Sequence, residues 1–209
     1  RLFKDVKTPR ELMTLGAPVV SPSRLQLRRM AMFAYWDDEA ALDEFLAGDG
    51  LGRRLAESWH VRMTFLRRWG SLAALADLPR REGEWRQDEP VVGVTVARMK
   101  FPQLPRFVHW GRPVKRLVRD DPNTTIAQAA IRLPRTVSTF SIWNSVEAME
   151  AMVHGRSIVA DPERHAAAMR ERERKDFHHE FVTLRFRPRS EHGTWLGRTG
   201  LVPPPAPPV

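Results

Sequence analysis

Apolar and polar residues alternate along much of the C-terminal half of the chain, with a period of two in some segments and a longer period in others. Period-two alternation and runs of β-branched residues predict strands. Residues 102–119 have mixed polarity and include Pro113, which predicts a broken helix. The predicted strands are 91–99, 124–133, 137–143 and a last strand with Val182, Leu184 and Phe186 on one face.

Two helices are predicted between the third and the last of these strands. Asn144 can cap the first helix, with Glu147 three residues later reaching back to it. Asp161 followed by Pro162 is typical of a second helix start, and this helix would end near Asp176. The apolar stripe of the first helix consists of Val146, Met149, Met152 and Val153.

The resulting order of elements is β-α-β-β-α-β, which is the ferredoxin-like unit of an α+β fold. Such a unit has an antiparallel sheet with helices on one face only. The other face of the sheet must therefore pack against something else. A second copy of the unit in the same chain would supply that cover, sheet against sheet.

An internal repeat supports this second copy. Segment 33–48 has the same pattern as segment 140–155 at a constant offset, and a later pair of blocks matches in the same order. The matched positions include Phe33 with Phe140, Trp36 with Trp143, Gly48 with Gly155, Val61 with Val182, Met63 with Leu184 and Phe65 with Phe186. Repetition of whole blocks in one order favours a duplicated architecture.

We therefore predict tandem ferredoxin-like repeats that form an intramolecular α+β barrel, with a first repeat that lacks its opening strand and helix. On the scale of such units, about 35–45 residues would precede this sequence. Strands of the first repeat are predicted at 11–15, 27–36 and 59–69, with a helix at 38–57. The predicted boundaries are 1–80 for the first repeat, 81–90 for a linker, 91–195 for the second repeat and 196–209 for an unstructured proline-rich tail.

Composition excludes several classes of site. The 209 residues include no cysteine, so disulfides, zinc knuckles and thiolate ligation of a haem are ruled out, and a cytoplasmic location is favoured. The net charge is +9, but acidic residues are interleaved with the arginines, so we expect no nucleic-acid partner. No apolar run approaches the roughly 18 residues of a transmembrane helix.

Several motifs together resemble the spheroidene monooxygenase family. They are AESWHVRM at 56–63, DPNTTIAQAAI at 121–131, TFSIW at 139–143, FVTLRFRPRSEHGTW at 181–195, and His165 followed twelve residues later by Phe177. The similarity extends from Arg1 to about Trp195. The resemblance implies an oxygenase of duplicated ferredoxin-like fold that adds oxygen to the end of a long apolar carotenoid and uses haem.

Histidine is the expected axial ligand if haem is present, because the chain has no cysteine and a single tyrosine. The resemblance favours His165, on the helix that follows Pro162, as the residue that binds the haem iron. Taken alone, a histidine in this position is more often a half-buried structural residue, and the resemblance brings the two interpretations nearer to even. His154 is the second choice. Of the other five histidines, His178 and His179 are expected to be solvated or structural, and His109 could contact a ligand edge.

Other candidates would surround such a cofactor. Trp143 and Met169 could line its cavity, although such residues are more often core. Arg185 could pair with a haem propionate or a substrate carboxylate, although most strand arginines are surface ion pairs. Small residues on the strands of the second repeat predict a gap between the two sheets. They are Gly93, Thr95, Ala97, Ala127, Ala129, Ala130, Ser138 and Ser141.

The leading functional hypothesis is therefore a haem-dependent monooxygenase acting on a hydrophobic small molecule. One alternative is a cofactor-free oxygenase of the same fold, and another is a non-catalytic protein that binds a ligand in the cavity or acts in a stress response. A sheet edge left open by the incomplete first repeat could also be covered in a homodimer.

Overall fold

A computed structural model describes residues 7–14, 25–34, 36, 38–48, 50–132, 135–159 and 161–204. The fold is α+β, with seven antiparallel strands and five α-helices in this part of the chain. The strands are β1 (Lys7–Thr14), β2 (Leu25–Phe33), β3 (His60–Ser71), β4 (Val91–Met99), β5 (Thr124–Arg132), β6 (Thr136–Trp143) and β7 (His178–His192). The helices are α1 (Glu39–Ala47), α2 (Leu51–Ala56), α3 (Leu104–Asp120), α4 (Val146–Val153) and α5 (Arg164–Arg174). No described helix is long and apolar enough to span a bilayer.

The strands form one continuous sheet in the order β2-β1-β5-β6-β4-β7-β3. The elements from β4 to β7 follow the β-α-β-β-α-β order that the sequence predicts, and their strands are neighbours in the sheet. The prediction of two separate sheets is wrong, because β1 pairs with β5 and β3 pairs with β7. The described strands leave β2 and β3 as the two edges of the sheet.

The two faces of the sheet have different packing. Alternate residues of a strand point to opposite faces, so each central strand contributes to both. One face carries the main core, built on Val92, Val94, Val96, Ile126, Ile142, Val182, Leu184 and Phe186. The other face carries the helices and two smaller clusters. The first of these has Val91, Trp143, Val146, Met149 and Met152, and the second has Ala97, Met99 and Phe177 against Leu104 and Phe107 of α3.

Several helix boundaries differ from the predictions. Helix α3 is continuous over 17 residues and includes Pro113, rather than broken there. The cap of α4 is Ser145, whose hydroxyl accepts the backbone N–H of Ala148, so this helix begins one residue later than the Asn144 cap predicts. Helix α5 begins after Glu163, because Asp161 has a left-handed φ of 57° and lies in a turn before the helix.

The first half and the tail also depart from the predictions. The single helix predicted over 38–57 is two helices, because the N–H of Gly48 closes α1 on Glu44 and Phe45 carbonyls. The tail is not unstructured where it is described. Leu201 is 2% exposed in the main core, and its carbonyl accepts the Thr125 hydroxyl.

Candidate functional site

His165 lies near the start of α5 and is half-buried. Its Nδ1 lies 3.0 Å from the carbonyl oxygen of Val153 at the end of α4. Since a carbonyl oxygen only accepts, Nδ1 carries the hydrogen, and Nε2 of the neutral ring keeps its lone pair. Burial lowers the pKa of His165, and nearby His154 lowers it further. The neutral imidazole is therefore the form present at neutral pH.

The other residues predicted around a cofactor are not gathered in one place. His154 is the C-cap of α4 and is exposed, and His109 is exposed on α3. Met169 is half-buried, one turn after His165 on α5. Trp143 is 1% exposed, and its Nε1 donates to the Ser141 hydroxyl at 2.9 Å. Trp143 is therefore a core residue beneath α4.

Arg185 is buried and is therefore not one of the surface ion pairs expected of most strand arginines. Its Nη1 lies 3.0 Å from a carboxylate oxygen of Glu150 on α4. The guanidinium also lies over the rings of Trp69 and Trp85, at 5.0 and 4.6 Å from their centroids. Burial lowers the pKa of Arg185, while the Glu150 carboxylate acts in the opposite direction. Its Nε is buried without a hydrogen-bond partner.

The small residues do not all lie where the sequence predicts. A Cβ built on Gly93 would lie 3.4 Å from Ser141 Oγ and 3.6 Å from Met149 Sδ, so these positions face α4 and not the main core. Ala130 and Ser138 are buried on the opposite face.

A line of register partners crosses five strands on the helix-facing side of the sheet. This line, called here the threonine row, is Ala129, Thr139, Thr95, Thr183 and Trp69.

Sequence reasoning missed a carboxylate–histidine pair in which the histidine is buried. His178 is 4% exposed, and its Nδ1 lies 3.0 Å from a carboxylate oxygen of Asp176. Its Nε2 is buried without a hydrogen-bond partner. The rings of Phe107, Phe177 and Phe181 surround it, with centroids 5.9, 5.7 and 4.9 Å away. Of the two alternatives predicted for His178, solvated or structural, its burial fits the structural one, whereas neighbouring residue 179 is exposed.

The two buried histidines predict acid sensitivity. Burial is the largest cause that lowers the pKa of both His165 and His178 in the folded chain. Between these lowered values and about 6.5, the unfolded chain binds more protons, so the free energy of unfolding falls as the pH falls. Each histidine can contribute up to about 1.4 kcal/mol per pH unit. Urea midpoints measured between about pH 7.5 and 5.5 should decrease, and a His165→Gln, His178→Gln double variant should show a flatter profile.

A His109→Gln variant is the matched control for this profile, because residue 109 is exposed. Its slope should equal that of the unmodified protein. Equal slopes in the double variant and the unmodified protein would contradict the prediction. The Asp176 carboxylate, whose pKa is lowered, becomes protonated only at a more acidic pH. The stability that is lost through Asp176 therefore lies outside this pH window.

Comparison with known proteins identifies one curated relative. Spheroidene monooxygenase from Rubrivivax gelatinosus is 27% identical over 187 residues, an alignment that covers 81% of this chain and 64% of the relative. The chain thus spans less than two thirds of the length of that protein. No protein-family model matches the chain.

A solved structure, that of an anthrone oxidase-like protein, aligns with 92% of this chain and 80% of its own, at 14% identity and a TM-score of 0.37. At that level of superposition the likeness carries no argument about fold or function. The sequence similarity over most of the chain is the informative result. It supports a family relationship between this chain and spheroidene monooxygenase, and it confirms the resemblance that the motifs predicted.

Proposed function

We propose that this protein is a monooxygenase that inserts oxygen into a hydrophobic small molecule such as a carotenoid, with haem as its cofactor. The observation that carries the proposal is the similarity to spheroidene monooxygenase, which covers 81% of the chain. The name of that relative indicates both the reaction type and the substrate class. Because the chain spans 64% of the relative, activity and substrate are proposals for this protein and require direct measurement.

The residues present fit a haem that is held through one histidine. A neutral imidazole is required for ligation, with its second nitrogen held by an acceptor. His165 meets both conditions, since burial lowers its pKa and Nδ1 donates to the Val153 carbonyl. Haem, when bound, would supply the iron at which oxygen is activated. We propose that His165 is the iron ligand and that His154, which is exposed, is not.

The surroundings of His165 explain how the chain keeps this ring neutral and oriented. Ala168, buried at 5%, and half-buried Met169 lie three and four residues further along α5, on the same side of the helix as His165. They limit contact between the ring and water, which disfavours protonation. Arg185, predicted to pair with a propionate, is already paired with Glu150 through Nη1, and its buried Nε has no hydrogen-bond partner.

The duplicated fold is part of the same proposal. In a duplicated barrel, equivalent strands of the two halves would pair antiparallel about a pseudo-two-fold axis, and the antiparallel pairing of β3 with β7 supports this proposal. Phe65 is the register partner of Phe186, and these are the positions that the repeat matches. Trp36 packs on Phe45 of the following helix at 5.5 Å, and Trp143 packs on the following helix α4. A homodimer that covers the edges at β2 and β3 is the assembly we propose.

An absorption spectrum tests the haem proposal. Purified, folded protein is reconstituted with haem, freed of excess haem, and scanned for a Soret band. We expect a band at about one haem per chain, together with oxygen insertion into a carotenoid detected by mass spectrometry under reducing conditions. A folded sample with no Soret band would overturn haem dependence. If that sample still oxygenates the carotenoid, the cofactor-free alternative replaces it.

A further inference from the structure

The helix-facing side of the sheet contains a strip against which the helices do not pack closely. Thr139 is exposed, although its strand β6 is paired on both sides, with β5 and β4. A side chain in the middle of a sheet is exposed only where the layer above it is open. Thr95 and Thr183, its neighbours along the threonine row, are half-buried, and Trp69 at the β3 end is 36% exposed.

The threonine row is long enough to hold an extended molecule. It crosses five strands, from β5 to β3, through successive register partners. Adjacent strands are about 4.8 Å apart, so the row is about 19 Å long. It runs across the strands, and Ala129, Thr95 and Thr183 are half-buried on either side of exposed Thr139.

Apolar clusters border this strip along both sides. The cluster under α4 contains Val91 and Met149, and the cluster under the start of α3 contains Ala97 and Met99. None of the five row residues belongs to either cluster. The middle of α3 also leaves space, because a Cβ built on Gly111 would meet only the ring of Phe107, at 4.0 Å. Helix α3 contacts the second cluster near its start and the first cluster at Val118, so it crosses above the row. The space below Gly111 then leaves a groove between the sheet and the middle of α3.

The groove has a defined chemistry. Alanine and threonine present methyl groups along its floor, and no charged side chain belongs to the row. At the β3 end, the guanidinium of Arg67 lies 4.8 Å and that of Arg185 5.0 Å from the ring centroid of Trp69. A mostly apolar site with a few polar groups at one end is typical of a pocket for a hydrophobic small molecule.

We propose that the hydrophobic substrate lies extended across the strands in this groove, on the threonine row, with one end near Trp69. This inference rests on the proposed function for the class of substrate. The threonine methyl groups contact the chain of the ligand, and the hydroxyls remain available to a polar group on it. Thr139, at the most open point of the floor, sets the depth of the groove.

Filling the groove tests this assignment. Thr139→Trp places a large ring on the floor, and Thr194→Trp, at an exposed position after β7, is the matched control. Lycopene, a linear apolar polyene, is offered in detergent to the haem-free protein, and the lycopene that co-elutes with protein is measured by its visible absorption. We expect Thr139→Trp to weaken binding at least tenfold and Thr194→Trp to leave it unchanged. Thr139→Val, which keeps the shape, should bind like the unmodified protein.

Circular dichroism and a melting curve confirm that each variant is folded. If Thr139→Trp does not fold, Thr183→Phe replaces it at the next position of the row. A folded Thr139→Trp variant that binds lycopene normally overturns the proposal, and so does an unmodified protein that binds none. Since the assay uses neither haem nor oxygen, the groove proposal and the proposed haem-dependent reaction can be overturned independently. A Soret band without lycopene binding overturns the groove alone, and groove-dependent binding without a Soret band supports the groove while overturning haem dependence.

Discussion

Replacing His165 with alanine should remove the Soret band of the reconstituted protein and weaken haem binding by more than about 100-fold, beyond the loss typical of a residue that only supports a ligand. The reason is the geometry of the ring. Its Nδ1 is held by the Val153 carbonyl at 3.0 Å, and burial keeps the ring neutral, so Nε2 keeps the lone pair that would bind iron. Alanine at this position removes the only ligating atom that the residue offers.

The fold should survive this change. His165 is half-buried, and its hydrogen bond to the Val153 carbonyl joins α5 to the end of α4, so its loss costs about 1 kcal/mol. Titration of apoprotein with haem, followed by absorption, measures the effect, and far-ultraviolet circular dichroism confirms folding. His154→Ala is the matched control because this histidine is exposed near the same helix junction. Equal haem affinity in His165→Ala and His154→Ala would contradict the assignment.

Should His165→Ala retain the Soret band, His178 is the next residue to replace. It also offers a neutral ring, with Nδ1 on Asp176 and a buried Nε2 that has no hydrogen-bond partner. Phe107, Phe177 and Phe181 enclose the ring, so a ligand could reach Nε2 only if these aromatic side chains moved. His165 requires no such movement of an aromatic cage, which is why it is tested first.

The strands were predictable because their signal is local. β-branched residues at 91–99 and alternation at 124–132 define β4 and β5 without knowledge of their neighbours. Their pairing across the molecule was harder to predict. A period of two divides a strand into two faces but does not indicate which face is covered by helices. The small side chains of β4 were therefore predicted to face the other repeat. In the structure, Gly93 instead lies beneath Met149 of α4.

The environment of His178 depends on contacts that no sequence pattern reveals. A register shift between Arg98 and Met99 makes His178 the partner of Met99, on the side that packs against α3. An irregularity of one residue decides whether a side chain at a strand end is buried or exposed. The nearby aspartate was the available signal, since Asp176 lies two residues before His178 and its carboxylate also accepts the backbone N–H of that residue.

Arg185 illustrates the same limit for charge. Its alternation with apolar neighbours on β7 places it on the helix-facing side, but only the fold brings Glu150, Trp69 and Trp85 around it. The guanidinium is consequently buried at 7% exposure with one carboxylate partner. A buried cation with a single partner makes stability depend strongly on that partner.

Glu150→Ala should lower the free energy of unfolding by about 2–3 kcal/mol. Breaking a fully buried ion pair costs about 3–5 kcal/mol, because the remaining charge is left without a partner. The smaller value applies here because the Glu150 side chain is 29% exposed and because two tryptophan rings still contact the Arg185 guanidinium. Urea denaturation at neutral pH measures the change. Glu147→Ala, on the same helix but exposed, should cost less than about 1 kcal/mol through the helix dipole.

A double variant separates loss of the pair from loss of the glutamate itself. Arg185→Met keeps much of the side-chain length and removes the buried charge, so Glu150→Ala combined with Arg185→Met should recover most of the lost stability. This recovery is expected because the cost in Glu150→Ala arises from an uncompensated guanidinium, whose pKa is already lowered by burial. If the double variant is less stable than Glu150→Ala alone, then the stacking of Arg185 between Trp69 and Trp85 stabilises this corner of the sheet more than its pairing with the carboxylate does.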